Sequence, residues 1–340
     1  MKIFYVKLVL LIVNVLLFTP LIAQNGEQVY SFLNVTTSAR QAALGGNIQS
    51  AWDSDANLAL WNPALMNEKM DDKVGLNYIS YLADIKFGTV SWVHQIDEKS
   101  FVSFHGRYFD YGTFKQTNEL GFEQGTFSAK DASITVGYAY NISDFFTVGA
   151  NLSYINSQIE TYQSSGIATD LGLVFHDIDY NTNVSLSVRN LGFQLKAYDQ
   201  VKEKLPLQIN LGISQKFDGF PFEISATLRD LQKFDISNPV NSTGQEISTP
   251  RKIIDHLSVG AELFPDKGFN LRFGYNFKRG NELKVEEVRA FSGLTFGFGI
   301  RIKSFKFDYA HAKYNIASNS NHFGLSIDLE SLLGKRYSWE

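Results

Sequence analysis

The 340-residue chain contains no cysteine. That excludes disulfide staples, a thiol nucleophile, thiolate metal sites and a lipidated cysteine behind a leader peptide. Stability must come from packing and backbone pairing alone. Long hydrophobic runs are also missing beyond residue 23, and the mean hydropathy is -0.13. A helical membrane protein is thereby excluded. Charge of one sign is lacking as well: 31 basic and 35 acidic residues give a net charge of -4, with no basic block to neutralise phosphates, so nucleic acid is excluded as a partner. Proline and methionine are scarce at 7 and 3, against 28 Phe, 16 Tyr and 26 Gly. Aromatic and β-branched richness favours strands.

What is present begins with a leader. A short charged stretch, Met1 to Lys7, precedes an apolar run from Leu8 to Phe18 broken only by Asn14, and Ala23 offers a small residue for cleavage. Residues 1–23 therefore read as a cleaved signal peptide, with a mature start near Gln24. A retained anchor would need about 20 apolar residues to cross a bilayer.

From Val74 onward, apolar and polar residues alternate strictly, the period of a strand with two different faces. Val184, Leu186 and Val188 alternate with Asn183, Ser185, Ser187 and Arg189; Leu294, Phe296, Phe298 and Ile300 alternate with Thr295, Gly297, Gly299 and Arg301. The pattern places strands near 73–81, 85–96, 99–110, 129–141, 145–158, 166–176, 182–192, 206–217, 220–232, 255–264, 268–278, 289–302, 304–313 and 321–329. A soluble sandwich would alternate too. Connection lengths choose between them. Links after even-numbered strands are short, as at Asp97-Glu98, Asp218-Gly219 and Lys303, whereas links after odd-numbered strands are mostly long: 111–128, 160–165, 193–205, 233–254, 279–288 and 314–320. Only the first odd link, 82–84, is short. A Greek-key sandwich gives no reason for loop length to follow strand parity, while an outer-membrane barrel has short periplasmic turns and long outer loops. The expected fold is all-β: a transmembrane antiparallel up-and-down barrel of about 14 strands over residues 73–330, preceded by a plug or hatch at 24–72 and followed by a tail at 331–340.

The inward face of such a barrel would carry His105, Arg107, Asp170, Arg189, Glu223, Arg229, Glu262, Arg272, Arg301, Lys306, Asp308 and Asp328. Mixed signs suit a self-neutralising lumen that braces a plug; a selectivity filter needs like charges at a constriction. Arginine at outward Leu186 should be costly and at inward Ser187 mild. Outward Trp92, Tyr108, Tyr138, Tyr140, Tyr154, Tyr275 and Tyr309 suit interfacial belts.

Residues 24–72 do not alternate. Ser38 stands as an N-cap before Ala39, Arg40, Gln41, Ala42, Ala43 and Leu44, and Gly45-Gly46 close that short helix; Asn62-Pro63-Ala64 breaks what precedes it. This layout, with Val29-Tyr30-Ser31-Phe32-Leu33-Asn34 ahead of it, resembles the amino-terminal region of the PorQ family of the type IX secretion system. It is also similar to the wider group of FadL-like barrels that includes PorV. The resemblance implies a fourteen-stranded barrel with a hatch. It also implies work with a PorZ-like surface protein in an attachment complex with PorU and PorV, which joins cargo to lipopolysaccharide in the outer membrane of a Gram-negative bacterium. The FadL likeness implies a second function: transport of hydrophobic small molecules through a pocket lined by Phe32, Leu33, Leu60 and Trp61, residues that packing explains equally well.

The longest connection, Lys233 to Ile254, is the expected partner-binding loop. Pro239, Gly244 and Pro250 prevent it from extending the ladder, and Phe234, Ile236, Val240 and Ile247, with Asn238 among them, have no membrane to face. Other motifs fail. Asp53-Ser54-Asp55 opens like a calcium loop, but Leu58 and Ala64 stand where glycine and glutamate belong. The histidines 94, 105, 176, 256, 311 and 322 never fall four apart, which argues against zinc. Ser103, His105 and Asp110 are neighbours without a Gly-x-Ser-x-Gly elbow, so no enzyme, cofactor or metal is expected.

Overall fold

The structure is a computed structural model that describes residues 28–46, 48–80, 85–217, 219–238, 246–282, 293–313 and 319–334. Fourteen antiparallel strands close into one barrel in sequence order. After the short β1 (Lys73–Ser80) and β2 (Lys86–Gln95), the tall side comprises β3 (Ser100–Thr117), β4 (Glu123–Ser143), β5 (Phe146–Ile159), β6 (Tyr162–Asp177) and β7 (Thr182–Lys196). The lower side comprises β8 (Gln208–Lys216), β9 (Phe222–Leu228), β10 (Leu257–Leu263), β11 (Phe269–Asn276), β12 (Leu294–Ile302), β13 (Phe305–Lys313) and β14 (Asn319–Asp328). The closing pair, β1 with β14, runs in register from Lys73 opposite Asp328 to Ser80 opposite Asn321. Closure leaves no free edge for lipid to meet, the condition a sheet must satisfy to cross a bilayer.

The alternation read from sequence is the alternation of burial. On β7, Asn183, Ser185, Ser187 and Arg189 are buried inside while Val184, Leu186 and Val188 face outward; on β12, Phe296, Phe298 and Ile300 are exposed. Strand ends differ from expectation in one systematic way. The expected loop at 111–128 is mostly strand, since β3 and β4 run on to a connection at 118–122, and the expected loop at 160–165 shrinks to the turn 160–161. β4 is 21 residues long and β9 only 7, so the barrel has one tall wall and one low wall. A hairpin standing above the membrane needs no apolar face, so Thr113, Lys115 and Thr117 give it no alternation to read. The low wall also begins late: β10 starts at Leu257, after a helix α2 (Thr249–Asp255) that occupies the end of the expected 233–254 loop. Short α3 (Phe277–Glu282) and α4 (Leu329–Leu333) follow β11 and β14.

Residues 28–46 and 48–72 lie inside the barrel. Near the long-loop rim Val29, Tyr30, Phe32 and Leu33 pack with inward Ile79, Phe87, Phe109 and Ile155. Towards the short-turn rim Leu44, Leu58, Leu65 and Met66 pack with inward Val93, Phe101, Ala139 and Val174. The inner wall is thus polar midway and apolar at both levels where the hatch packs. Burial of apolar surface at about 25 cal/mol per Å² makes these two contacts the main non-directional glue.

The occupied lumen reverses one mutational expectation. Ser187 is buried at 1% exposure and its hydroxyl donates to Gln49 Oε1 of the hatch. Ser187→Arg should therefore displace the hatch instead of being tolerated, while Leu186→Arg should cost about 2–4 kcal/mol from the lipid side. Loss of the compact band in unboiled electrophoresis for Leu186→Arg, and protease sensitivity of the hatch for Ser187→Arg, are the outcomes to measure.

Candidate functional site

The hatch seat is built from the motif residues. Helix α1 (Ala39–Ala43) begins at Ser38, whose side chain accepts from the Gln41 N–H, and ends where Gly45 and Gly46 take φ of 91° and 102°. A left-handed exit of this kind favours glycine, and it lets the Gly46 N–H reach back to the Gln41 carbonyl at 2.8 Å. The chain then runs flat against the wall. Thr295 Oγ1 donates to the Ala43 carbonyl at 2.9 Å, and Asn276 Nδ2 to the Gly45 carbonyl at 3.2 Å. Opposite them the wall carries Gly274, where an added Cβ would lie 2.1 Å from the Gly45 nitrogen. The second motif is seated the same way. Asn62 Oδ1 accepts from the Ala64 N–H at 3.1 Å, its Nδ2 donates to the Gln49 carbonyl, and a Cβ on inward Gly172 would lie 2.0 Å from Asn62 Oδ1.

Arg40 locks this seat. Its Nη2 donates to Glu262 Oε2 at 2.7 Å, its Nη1 lies 2.5 Å from Asp53 Oδ2 and 3.7 Å from Asp55 Oδ2, and its side chain is 5% exposed. Glu262 in turn accepts from Arg272 Nε at 2.8 Å, and Arg272 Nη1 reaches Asp308 Oδ1 at 2.5 Å. The acid pair that opened like a calcium loop is thus spent on a guanidinium. Above it, Arg107 Nη1 and Arg189 Nη2 both donate to the Leu33 carbonyl at 3.2 Å, and the Arg189 guanidinium lies 4.0 Å over the Trp61 ring. Asp170 accepts from the Asn190 N–H at 2.7 Å. The lumen charges are braces for the hatch.

Two of them stand elsewhere. Arg229 falls just past the end of β9 at the long-loop rim, because β9 ends sooner than the alternation suggests, and Arg301, next to last in β12, is exposed at the short-turn mouth. The Ser103, His105, Asp110 grouping is incomplete: His105 Nε2 meets Ser103 Oγ at 2.9 Å, but His105 Nδ1 has no hydrogen-bond partner and Asp110 Oδ1 accepts from the Gly112 N–H.

At the long-loop rim, Phe234, Asn238 and Pro250 are exposed and Ile236 and Ile247 half-buried, while Pro239, Val240 and Gly244 lie outside the described residues. The segment is tied down. Lys252 pairs with Asp235 and holds that carboxyl below its ordinary range by hydrogen bonding, and Ser237 Oγ donates to Asp255 Oδ2 at 2.6 Å. On the same rim the sequence reading missed the β3–β4 hairpin, where Leu120 and Phe122 are 81% and 68% exposed. Below these loops a cavity of about 410 Å³ is walled by Phe32, Phe87, Phe109 and Tyr111 on one side and Arg229 and Arg279 on the other. Leu33, Leu60 and Trp61, expected to share a pocket with Phe32, are instead buried packing residues.

The sequence profile of a family described as type IX secretion system protein PorV matches residues 26–222, more than half of the chain and all of the hatch seat except the low wall. The chain belongs to the PorV family. Membership places this PorV-family barrel in the Gram-negative outer membrane, so its short turns are periplasmic and its long loops extracellular. Among solved structures it is similar to the toluene transporter TodX of Pseudomonas putida, with 13% identity and a TM-score of 0.54 over 88% of this chain and 98% of that one. It is likewise similar to a Pseudomonas aeruginosa FadL homologue, with 12% identity and a TM-score of 0.53 over 89% and 100%. The CymD monoaromatic hydrocarbon channel gives 13% and 0.53 over 86% and 97%. These identities speak for the fold alone. Comparison with curated protein sequences finds no match.

Proposed function

We propose that this PorV-family barrel is a PorQ-like docking component of the type IX attachment complex. It anchors a PorZ-like surface protein alongside PorU and PorV while cargo is joined to lipopolysaccharide. The observation that carries this reading is the hatch: it is ion-paired to the wall through Arg40, hydrogen-bonded to it through Leu33, Gly45 and Ala59, and seated against wall glycines, so the barrel is a rigid platform with a filled lumen. In this reading residues 1–23, which lie outside the described residues, are removed on export, and the chain performs no catalysis.

Partner contact falls to the extracellular rim, to the 233–254 segment and the β3–β4 hairpin. Replacing residues 238–249 by a short Gly-Ser linker should leave the barrel heat-modifiable, release the surface partner and send cargo into the medium. Assembly with partner and cargo both retained would move docking off that segment.

A second reading rests on the 410 Å³ extracellular cavity, whose aromatic wall would suit hydrophobic small molecules such as the toluene of TodX and the monoaromatic hydrocarbons of CymD. A hydrocarbon or lipid co-purifying in stoichiometric amount would favour transport over docking.

A further inference from the structure

The hatch ends at the periplasmic rim, and its last residues meet the wall in a way that sequence spacing hides. β1 and β2 pair with Lys73 opposite Val93, so Asp72 comes level with His94 and Asp71 with Gln95. The Gln95 N–H donates to Asp71 Oδ1 at 2.7 Å, which fixes one carboxylate. Asp72 takes φ of 46°, a left-handed turn that brings its carboxylate beside that of Asp71 although the two residues are adjacent. Both then face one nitrogen: His94 Nδ1 lies 3.0 Å from Asp72 Oδ1 and 3.2 Å from Asp71 Oδ1, and one ligand atom from each residue lies within 4.8 Å of the others.

A single Nδ1–H has one proton to give. It cannot satisfy two carboxylates, and among the described residues neither Asp71 nor Asp72 has an ion pair with lysine or arginine; nearby Lys73 is taken by Asp328. Two partly buried anions thus share one imidazole. A tetrahedral ion with ligands about 2.0–2.2 Å away holds those ligands roughly 3.3 Å from one another. The two nitrogen-to-oxygen distances lie close to that, and Trp92 stacks on the His94 ring at 5.5 Å and 6°, holding its orientation. Each side chain is about a third exposed (31%, 36% and 37%), which leaves a face open for water as a fourth ligand. We propose that Asp71, Asp72 and His94 form a zinc site that clasps the end of the hatch to the β1–β2 wall. One nitrogen and two carboxylate oxygens suit a borderline cation, and the neutral imidazole binds through Nδ1. Histidine spacing along the chain could not show such a site, because these ligands come from a hairpin register and not from one helix turn.

The test uses the full-length barrel in detergent, stripped with a chelator and titrated with zinc chloride, with bound metal counted by elemental analysis. One zinc per chain is expected, together with a higher temperature at which unboiled protein loses its compact band. His94→Ala and Asp71→Asn should each weaken binding at least about tenfold, while Asp97→Asn, an exposed neighbouring acid, should not. Folding of each variant is checked by its unboiled migration. Stripped wild-type protein that takes up no zinc overturns the proposal, as does His94→Ala that binds zinc as tightly as wild type; the first result would assign the cluster to an imidazolium shared by two carboxylates.

Discussion

Replacing Arg40 with leucine should cost the hatch about 3–5 kcal/mol of seating stability, because it strands Glu262, Asp53 and Asp55 around a vanished cation. The size of the effect comes from burial. Glu262 is 3% exposed and keeps only Arg272, so a charge that was compensated on two sides becomes compensated on one. An exposed pair gives the contrast: Lys115→Ala, which breaks the Lys115 and Glu123 pair at 71% and 61% exposure, should cost less than about 1 kcal/mol. The measurement is the temperature at which hatch peptides appear under protease in detergent. A large drop for Arg40→Leu with none for Lys115→Ala is expected; equal behaviour would mean that the motif arginine does not hold the hatch.

Gly274→Val should be at least as severe. The added Cβ would lie 2.1 Å from the Gly45 nitrogen and 2.4 Å from the Leu44 carbonyl carbon, both backbone atoms that no rotamer change can move aside. Overpacking ordinarily costs about 1–3 kcal/mol, and a clash with backbone lies at the upper end or beyond. Since β11 keeps its ladder with β10 and β12, the barrel should still form. The expected phenotype is an assembled barrel with a displaced hatch, read as higher ion conductance in planar bilayers than wild type gives. A Gly274→Val barrel that conducts no more than wild type would contradict the seat.

The barrel was legible because one physical constraint acts on every strand: a lipid face and an inner face impose a two-residue period, and Leu186 beside Ser187 obeys it wherever the membrane is present. Legibility failed where the membrane stops. Thr113 to Thr117 is strand without alternation because water lies on both sides, and α2 hides in a loop because a 7-residue helix gives no sustained period. The hatch motif could be singled out by its Ser38 cap and its Gly45-Gly46 exit, but its meaning could not. That Arg40 reaches Glu262, 222 residues away, depends on closure, which no local pattern encodes. The same is true of Asp72 and His94, which only strand register brings together. The inward charges follow strand parity where strands persist; Arg229 and Arg301 fall at strand ends, where parity loses its force.

The central claim is that this PorV-family barrel holds a surface partner and does not pass small molecules. Affinity isolation of the tagged protein from native outer membranes, with protein stoichiometry and extracted lipids measured on the same sample, tests it most directly. The account predicts one surface protein in near-equal amount, lost when residues 238–249 are replaced, and no hydrophobic molecule in stoichiometric amount. A barrel recovered without a protein partner but with one bound hydrocarbon or fatty acid per chain would contradict it.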